Sequence, residues 1–217
     1  MKNLVIIGAG NVGGFVASYF KNCLEDFNLI GFLDDDSSKA GKDFIGYPIL
    51  GKIECIVQHP TSTAIIIGIA SATVKATIVE KLRRLGYNNF PSLVANNTWV
   101  SEKSVIGEGC IIYPGVMINY NCTIGSFVVL NMNCAIGHDC VLEDYVNFCP
   151  GVLLGGNTTI GRYTDMGIGS QTKQSIAIGQ NSIIGAGAVI INDVEDNAVV
   201  VGNPGKVLRS IEKENED

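Results

Sequence analysis

Charge is scarce in this chain. Asp, Glu, Lys and Arg make up 17% of its 217 residues, where about 25% is ordinary for a soluble domain. No basic block exists and the formal net charge is −6, which excludes the clustered Lys and Arg that binding a phosphate backbone requires. No run reaches the ~20 apolar residues of a membrane span. The apolar start, Leu4-Val5-Ile6-Ile7, is interrupted by Gly8-Ala9-Gly10 and shows no secretory cleavage pattern. The expectation is a cytoplasmic protein with neither a nucleic-acid nor a membrane partner. There is no Cys-x-x-Cys pair for zinc, and seven cysteines, an odd number, do not suit a disulfide framework. No metal is expected. Only two histidines are present, His59 and His138, and these are the side chains best suited to proton transfer near neutral pH.

Glycine, by contrast, is abundant: 26 residues, where average usage gives about 15. With 47% hydrophobic residues the chain can build a real core. The grammar changes near residue 95. Residues 1–100 hold nine of the fifteen Lys and Arg, whereas 101–201 hold three, Lys103, Arg162 and Lys173. Before the change, strand and helix signals alternate. Leu4–Gly8, Leu29–Leu33 and Ala64–Gly68 read as buried strands, Val12–Asn22 and Thr73–Leu85 as helices, the second closed by Gly86. That alternation implies a parallel sheet with crossover helices, a Rossmann-like α/β domain over 1–92.

The second part has a period of six. From Val94, every sixth residue to Ile190 is apolar except Thr172. The position four further on, from Cys110, is always small, β-branched or Cys. Cys110, Cys122 and Cys134 lie twelve apart, and Cys140 six beyond, so these cysteines read as small buried repeat residues. Gly follows the large apolar residue in eight repeats, such as Ile136-Gly137 and Leu154-Gly155. Such a hexapeptide period is the signature of a parallel β-solenoid, whose coils must stack to bury themselves. A helix is excluded: six is a poor multiple of 3.6, and the segment is rich in Gly and β-branched residues.

These repeats resemble the left-handed parallel β-helix of hexapeptide acyltransferases over about 95–205, within an expected second domain of 93–217 that ends in a short tail. In that fold three hexapeptides make one triangular coil, so residues eighteen apart stack. Together with the N-terminal domain, the mid-helix Gly137-His138-Asp139 and the closing Val201-Gly202-Asn203-Pro204-Gly205-Lys206, the chain resembles the PglD/NeuD-type sugar acetyltransferases. The resemblance implies acetyl-CoA as co-substrate, a nucleotide-linked amino sugar as acceptor, UDP-linked by preference, and a homotrimer.

His138 falls near a corner of its repeat, Ala135-Ile136-Gly137-His138-Asp139-Cys140, on the outer surface. Position alone leaves open a solvated turn histidine. The resemblance makes it the general base, with Asp139 orienting the imidazolium. Coil arithmetic sets His138 between Tyr120 and Gly156, and a glycine there leaves room for a thioester while its N–H can face an oxyanion. The resemblance further implies Gly156, Ile168, Ala186 and Asn147 along acetyl-CoA, Lys206 toward its phosphates, and Asn131 near the acceptor amine. Asn147 stands where many relatives carry His.

Gly8-Ala9-Gly10-Asn11-Val12-Gly13 is a G-x-G-x-x-G between strand and helix, which lets a pyrophosphate approach a helix N-terminus. The motif serves NAD as well, so alone it does not choose the nucleotide. The resemblance assigns Gly10, Asn11, Val12, Gly13, Asp34, Asp35 and Gly68 to the nucleotide-sugar. The reading is therefore an N-acetyltransferase of a 4-amino sugar by direct transfer. O-acetylation of sialic acid or another hydroxyl is the alternative, followed by a non-catalytic nucleotide-binding scaffold and an NAD-dependent oxidoreductase.

Overall fold

The computed structural model of the protein describes residues 1–211, in two compact units that divide between Asn96 and Asn97. The boundary expected at 92 thus falls four residues early, before the short strand Leu93–Val94. The last six residues of the expected second domain, 212–217, lie outside the described residues.

In the first unit, β1 (Lys2–Ile7), β2 (Phe27–Leu33), β3 (Asp43–Phe44), β4 (Tyr47–Gly51) and β5 (Ala64–Ile67) form one sheet in the order β3-β4-β2-β1-β5. β4, β2, β1 and β5 run parallel, and β3 closes a hairpin on β4. Leu4–Ile7 and Ala64–Ile67 are buried at every residue, which is why these runs are unbroken aliphatic instead of alternating. Two helices, α1 (Asn11–Tyr19) and α2 (Ala72–Arg84), follow β1 and β5. Ser71 caps α2 by accepting from Val74 N–H, and Lys81, Arg83 and Arg84 in the last turn complement its dipole. The first helix is shorter than expected: after Tyr19 it tightens into a 3₁₀ turn, Phe20–Asn22, that buries Phe20. The β3–β4 hairpin left no sequence signal, because a two-residue strand is too short to show a period.

The second unit is the left-handed parallel β-helix. Its first face stacks two-residue strands starting at Trp99, Met117, Ala135, Leu153, Gln171 and Val189, each paired in parallel with the one eighteen residues on. The second face runs from Val105 through Thr123, Val141 and Thr159 to Ala177, and the third includes Ile111, Val129, Asn147, Asp165 and Ile183. The last coil is shortened: Ile183 pairs with Val199, sixteen on. A terminal hairpin, Ala198–Val201 with Lys206–Ser210, closes it.

The large repeat residues fill the interior, and the small ones lie beside them, fully buried. Several small residues also satisfy a corner carbonyl fifteen residues ahead. Cys110 Sγ donates to Gly125 O (3.1 Å), Cys122 to Gly137 O (3.0 Å), Cys140 to Gly155 O (3.3 Å) and Thr164 Oγ1 to Gly179 O (2.8 Å). The restriction to Cys, Ser, Thr and small apolar residues therefore has two causes, volume and a buried acceptor needing a donor. Thr172, the one polar residue of the large series, accepts from Gly155 N–H at 3.2 Å. Corners turn through left-handed backbone at Asn121, Asp139, Asn157 and Ser175 on one edge and at Phe127, Tyr145 and Tyr163 on another. Aromatic residues seldom adopt that conformation. Here their rings form a column, with centroids 5.3 Å apart at each step.

Candidate active site

In the first unit, the C-terminal ends of β1, β2 and β5 and the start of α1 surround a cavity of about 610 Å³, within the range that small-molecule ligands occupy. Gly8, Gly10, Asn11, Val12, Asp34, Asp35, Lys39 and Gly68 all line it. Gly13 lies beneath: its Cα faces the Gly8 carbonyl so closely that no side chain fits, and a Cβ on Gly68 would stand 2.6 Å from Gly13 Cα. These two glycines let α1 press onto the sheet. At Gly10 a Cβ would meet nothing within 4 Å, so this residue keeps the mouth of the cradle open. Gly10 is also the N-cap of α1 and no side chain caps that helix, which leaves N–H groups for an anion.

Asp34 lines the cavity but its oxygens are engaged. Oδ2 accepts from Ala9 N–H and from Lys39 Nζ, both at 2.8 Å, and Oδ1 accepts from Asp36 N–H at 2.9 Å. Burial pushes its pKa up, yet these hydrogen bonds, Lys39's first, outweigh burial and hold the carboxyl below the usual range. Asp35 Oδ1 accepts from Ile53 N–H at 2.9 Å. Both aspartates thus brace the glycine loop and the turn at 53. Lys39 escaped the sequence reading. It enters the cavity because Asp36 caps a single 3₁₀ turn, Ser37–Lys39, that folds the lysine back over the strand end.

In the second unit, His138 and Asp139 sit on the edge between the first and second faces. His138 Nδ1 lies 2.8 Å from Asp139 Oδ2. A carboxylate only accepts, so Nδ1 is the donor of this contact, and in the neutral ring the lone pair then lies on Nε2. The other carboxylate oxygen, Oδ1, accepts from Asn121 Nδ2 at 2.7 Å, one coil below. Hydrogen bonds from Asn121 first, then His138, lower the Asp139 pKa. The coil arithmetic for His138 holds in detail. Asp139 N–H donates to Tyr120 O (2.9 Å), Asn157 N–H donates to His138 O (2.8 Å), and the imidazole lies over Gly156. A Cβ there would stand 2.6 Å from Nε2 and 2.7 Å from Cε1. The room left by this glycine is thus taken by the histidine ring itself, against the expectation that it is kept for a thioester. Gly156 N–H donates to no acceptor among the described residues and remains available to an oxyanion.

The remaining expected residues are elsewhere on the same unit. Asn131, Ile168 and Ala186 lie on the edge between the third and first faces, so the first face separates them from His138. Ile168 and Ala186 are exposed there on successive coils, with Gly187 N–H donating to Ile168 O. Asn131 Oδ1 accepts from Met132 N–H. Asn147 is on the third face, and Lys206 opens the exposed terminal strand. The second histidine, His59, is in the first unit at the end of a 3₁₀ turn. Cysteine nucleophiles are ruled out near His138: Cys140 is fully buried, and burial pushes its thiol up to about 11. Among the described residues no three potential metal ligands cluster, and no helix is long and apolar enough to cross a membrane.

Residues 3–82 match the family model of the PglD N-terminal domain. Along 94% of its length the chain is 30% identical to a GDP-perosamine N-acetyltransferase of Escherichia coli, covering 95% of that protein. The acetyltransferase domain of PglB from Neisseria gonorrhoeae, solved in complex with acetyl coenzyme A, superposes with a TM-score of 0.88 at 30% identity, over 95% of this chain and 99% of that one. A mutant perosamine N-acetyltransferase from Caulobacter crescentus, in complex with CoA and GDP-perosamine, shares the fold at 24% identity, with a TM-score of 0.88 and coverage of 97% and 98%.

Proposed function

Because the chain belongs to the PglD-type family of sugar acetyltransferases, we propose that it carries acetyl from acetyl-CoA to the 4-amino group of a nucleotide-linked amino-deoxy sugar. One observation carries the reading: an exposed imidazole whose Nδ1 is fixed by Asp139 and whose Nε2 is free. Nε2 takes the proton that the amine loses as its nitrogen attacks the thioester carbonyl. Asp139 stabilises the imidazolium, and the Gly156 N–H meets the charge growing on the carbonyl oxygen. The carbon–sulfur bond breaks, and the departing thiolate recovers the proton from Nε2. No acetyl-enzyme is formed.

The nucleotide is held by the first unit. The N–H groups at Asn11 and Val12 face the diphosphate, Gly10 leaves room for it, Gly68 seats α1 against the sheet, and Asp34 and Asp35 keep the loop in shape. The resemblance favours a UDP-sugar. A GDP-sugar is a second reading, favoured by the substrate named for the full-length relative. Acetyl-CoA touching Gly156 as well as Ile168 and Ala186 needs two edges of the solenoid at once. Two copies meet that need when the first edge of one faces the other edge of the next. Such a contact is heterologous and gives a ring when the rotation between copies closes; the family resemblance makes that ring a trimer. The exposed Trp99, Met117 and Leu153 on the face between those edges supply the apolar surface for it.

The test is thiol release from acetyl-CoA with UDP-, dTDP- and GDP-linked 4-amino sugars and with sialic acid, using wild type and His138→Ala. Release with an amino sugar that the variant loses supports the reading. Undiminished activity in the variant refutes the assigned base. Release with sialic acid alone makes the protein an O-acetyltransferase. Light scattering on the eluting protein checks the trimer.

A further inference from the structure

A third side chain completes the arrangement at the first edge. Asn121 and Asp139 occupy the same corner position on successive coils, eighteen residues apart, with φ of +57° and +56°. Their stacking aims the Asn121 amide at Asp139 Oδ1 (2.7 Å) while Oδ2 faces His138 Nδ1 (2.8 Å). The coil that carries Asn121 is itself braced. Ser104 Oγ donates to Asn119 O (2.6 Å) and accepts from Cys122 N–H (2.8 Å), and Asn119 Oδ1 accepts from Tyr120 N–H (2.7 Å).

This bracing matters because the pair it serves is not held by packing. The His138 and Asp139 side chains are 52% and 38% exposed. A carboxylate in that setting would rotate among staggered wells, and the imidazole would exchange between its two neutral tautomers. Asn121 removes one freedom by pinning the oxygen that His138 does not use. We infer that Asn121 is a positioning residue: its amide fixes the Asp139 carboxylate so that His138 keeps its proton on Nδ1 and presents Nε2 to the acceptor. The inference rests on the acetyltransferase reading for its kinetic consequence, not for its geometry.

A left-handed corner alone would also suit an asparagine, as at Asn133, Asn157 and Asn181. The test therefore separates backbone from amide. Asn121→Gly keeps the conformation and removes the donor. Asn121→Asp keeps the outline and sets a carboxylate against a carboxylate. Expected are a kcat about tenfold lower for the glycine variant and lower still for the aspartate variant. Both KM values should stay within about twofold of wild type, because the inferred role of Asn121 acts through Asp139 and not on a substrate.

The ¹⁵N imidazole spectrum gives a second readout that needs no substrate. With two histidines in the chain it contains two ring systems, and His59 serves as the internal reference. The wild type should show neutral His138 protonated on Nδ1, and both variants a mixture with the Nε2-protonated form. An unchanged tautomer in both variants, or kcat within twofold of wild type in both, overturns the inference. If the glycine variant does not fold, the aspartate variant carries both readouts. A wild type that shows the Nδ1 tautomer without transferring acetyl refutes the proposed function and leaves the positioning of His138 standing.

Discussion

Replacing Gly156 by alanine is the sharpest perturbation of the proposed site, because its effect follows from three distances. The new methyl would stand 2.6 Å from Nε2, 2.7 Å from Cε1 and 3.0 Å from Cδ2 of His138. Carbon and nitrogen settle at about 3.5 Å, so the ring edge must retreat by roughly 0.9 Å. Among the described residues a single hydrogen bond tethers the ring, the 2.8 Å contact to Asp139, and such a bond weakens beyond about 3.2 Å. The half-exposed imidazole therefore swings toward solvent and the backbone stays in place. Gly156 does not have a positive φ, so alanine adds no backbone strain. Stability should change by less than about 1 kcal/mol. Misplacing a base by about 1 Å costs on the order of 10²-fold in rate, so kcat should fall by roughly 30- to 100-fold. Acetyl-CoA turnover, measured by chromatography to avoid the protein's own thiols, gives kcat, and thermal unfolding gives the stability. The double variant His138→Ala with Gly156→Ala is the control: without a ring to displace, the methyl should cost little beyond the loss in His138→Ala alone. A single variant within threefold of wild type, or a double variant a further tenfold below His138→Ala, would refute the placement of the working ring over Gly156.

Lys39→Ala removes a lysine that lines the cavity of the first unit, and under the proposed function should raise KM for the nucleotide-sugar about five- to tenfold while leaving KM for acetyl-CoA unchanged, as steady-state kinetics would register. Asp34 has a depressed pKa in the folded protein, so its stabilising contribution is present above the ordinary aspartate value of about 3.9 and is lost as pH falls through the folded value. Urea unfolding followed by circular dichroism at pH 5 and pH 3 should accordingly show a smaller pH difference in Asp34→Asn than in wild type. Cys140→Ser keeps a donor for Gly155 O and should unfold within about 1 kcal/mol of wild type, whereas Cys140→Leu overpacks the interior by about 1–3 kcal/mol. Native-state alkylation should reach no cysteine beyond the half-buried Cys23, Cys55 and Cys149.

The solenoid was legible because its period is rigid. Every coil repeats the same inward pair, so one frame of six fixes which residues are buried, and three frames fix which residues stack. The Rossmann-like strands were legible for a different reason, since sheet strands buried on both faces must be continuous aliphatic runs. The helix end at Tyr19 and the β3–β4 hairpin were not, because both depend on a few residues with no repeat to average over.

At the site the same division holds. Eighteen-residue arithmetic set His138 over Gly156, and applied to Asp139 it points directly to Asn121, so that signal was present in the sequence. What arithmetic does not carry is the direction of a side chain. Whether Gly156 leaves space for a substrate or for the histidine ring is decided by the χ angles of His138, which the hydrogen bond to Asp139 selects. Lys39 depends on a local turn for the same reason. The G-x-G-x-x-G motif locates the cavity, but the cation that enters it arrives through the Asp36 cap and the pull of Asp34, two short-range contacts in a run of three consecutive aspartates. In that run the sequence offers three equivalent carboxylates, and only the fold gives them different partners: Asp34 the glycine loop, Asp35 the turn at Ile53, Asp36 the 3₁₀ turn. A single substitution to Asn in each should therefore weaken three different contacts, and only Asp34→Asn should release Lys39 from its 2.8 Å ion pair.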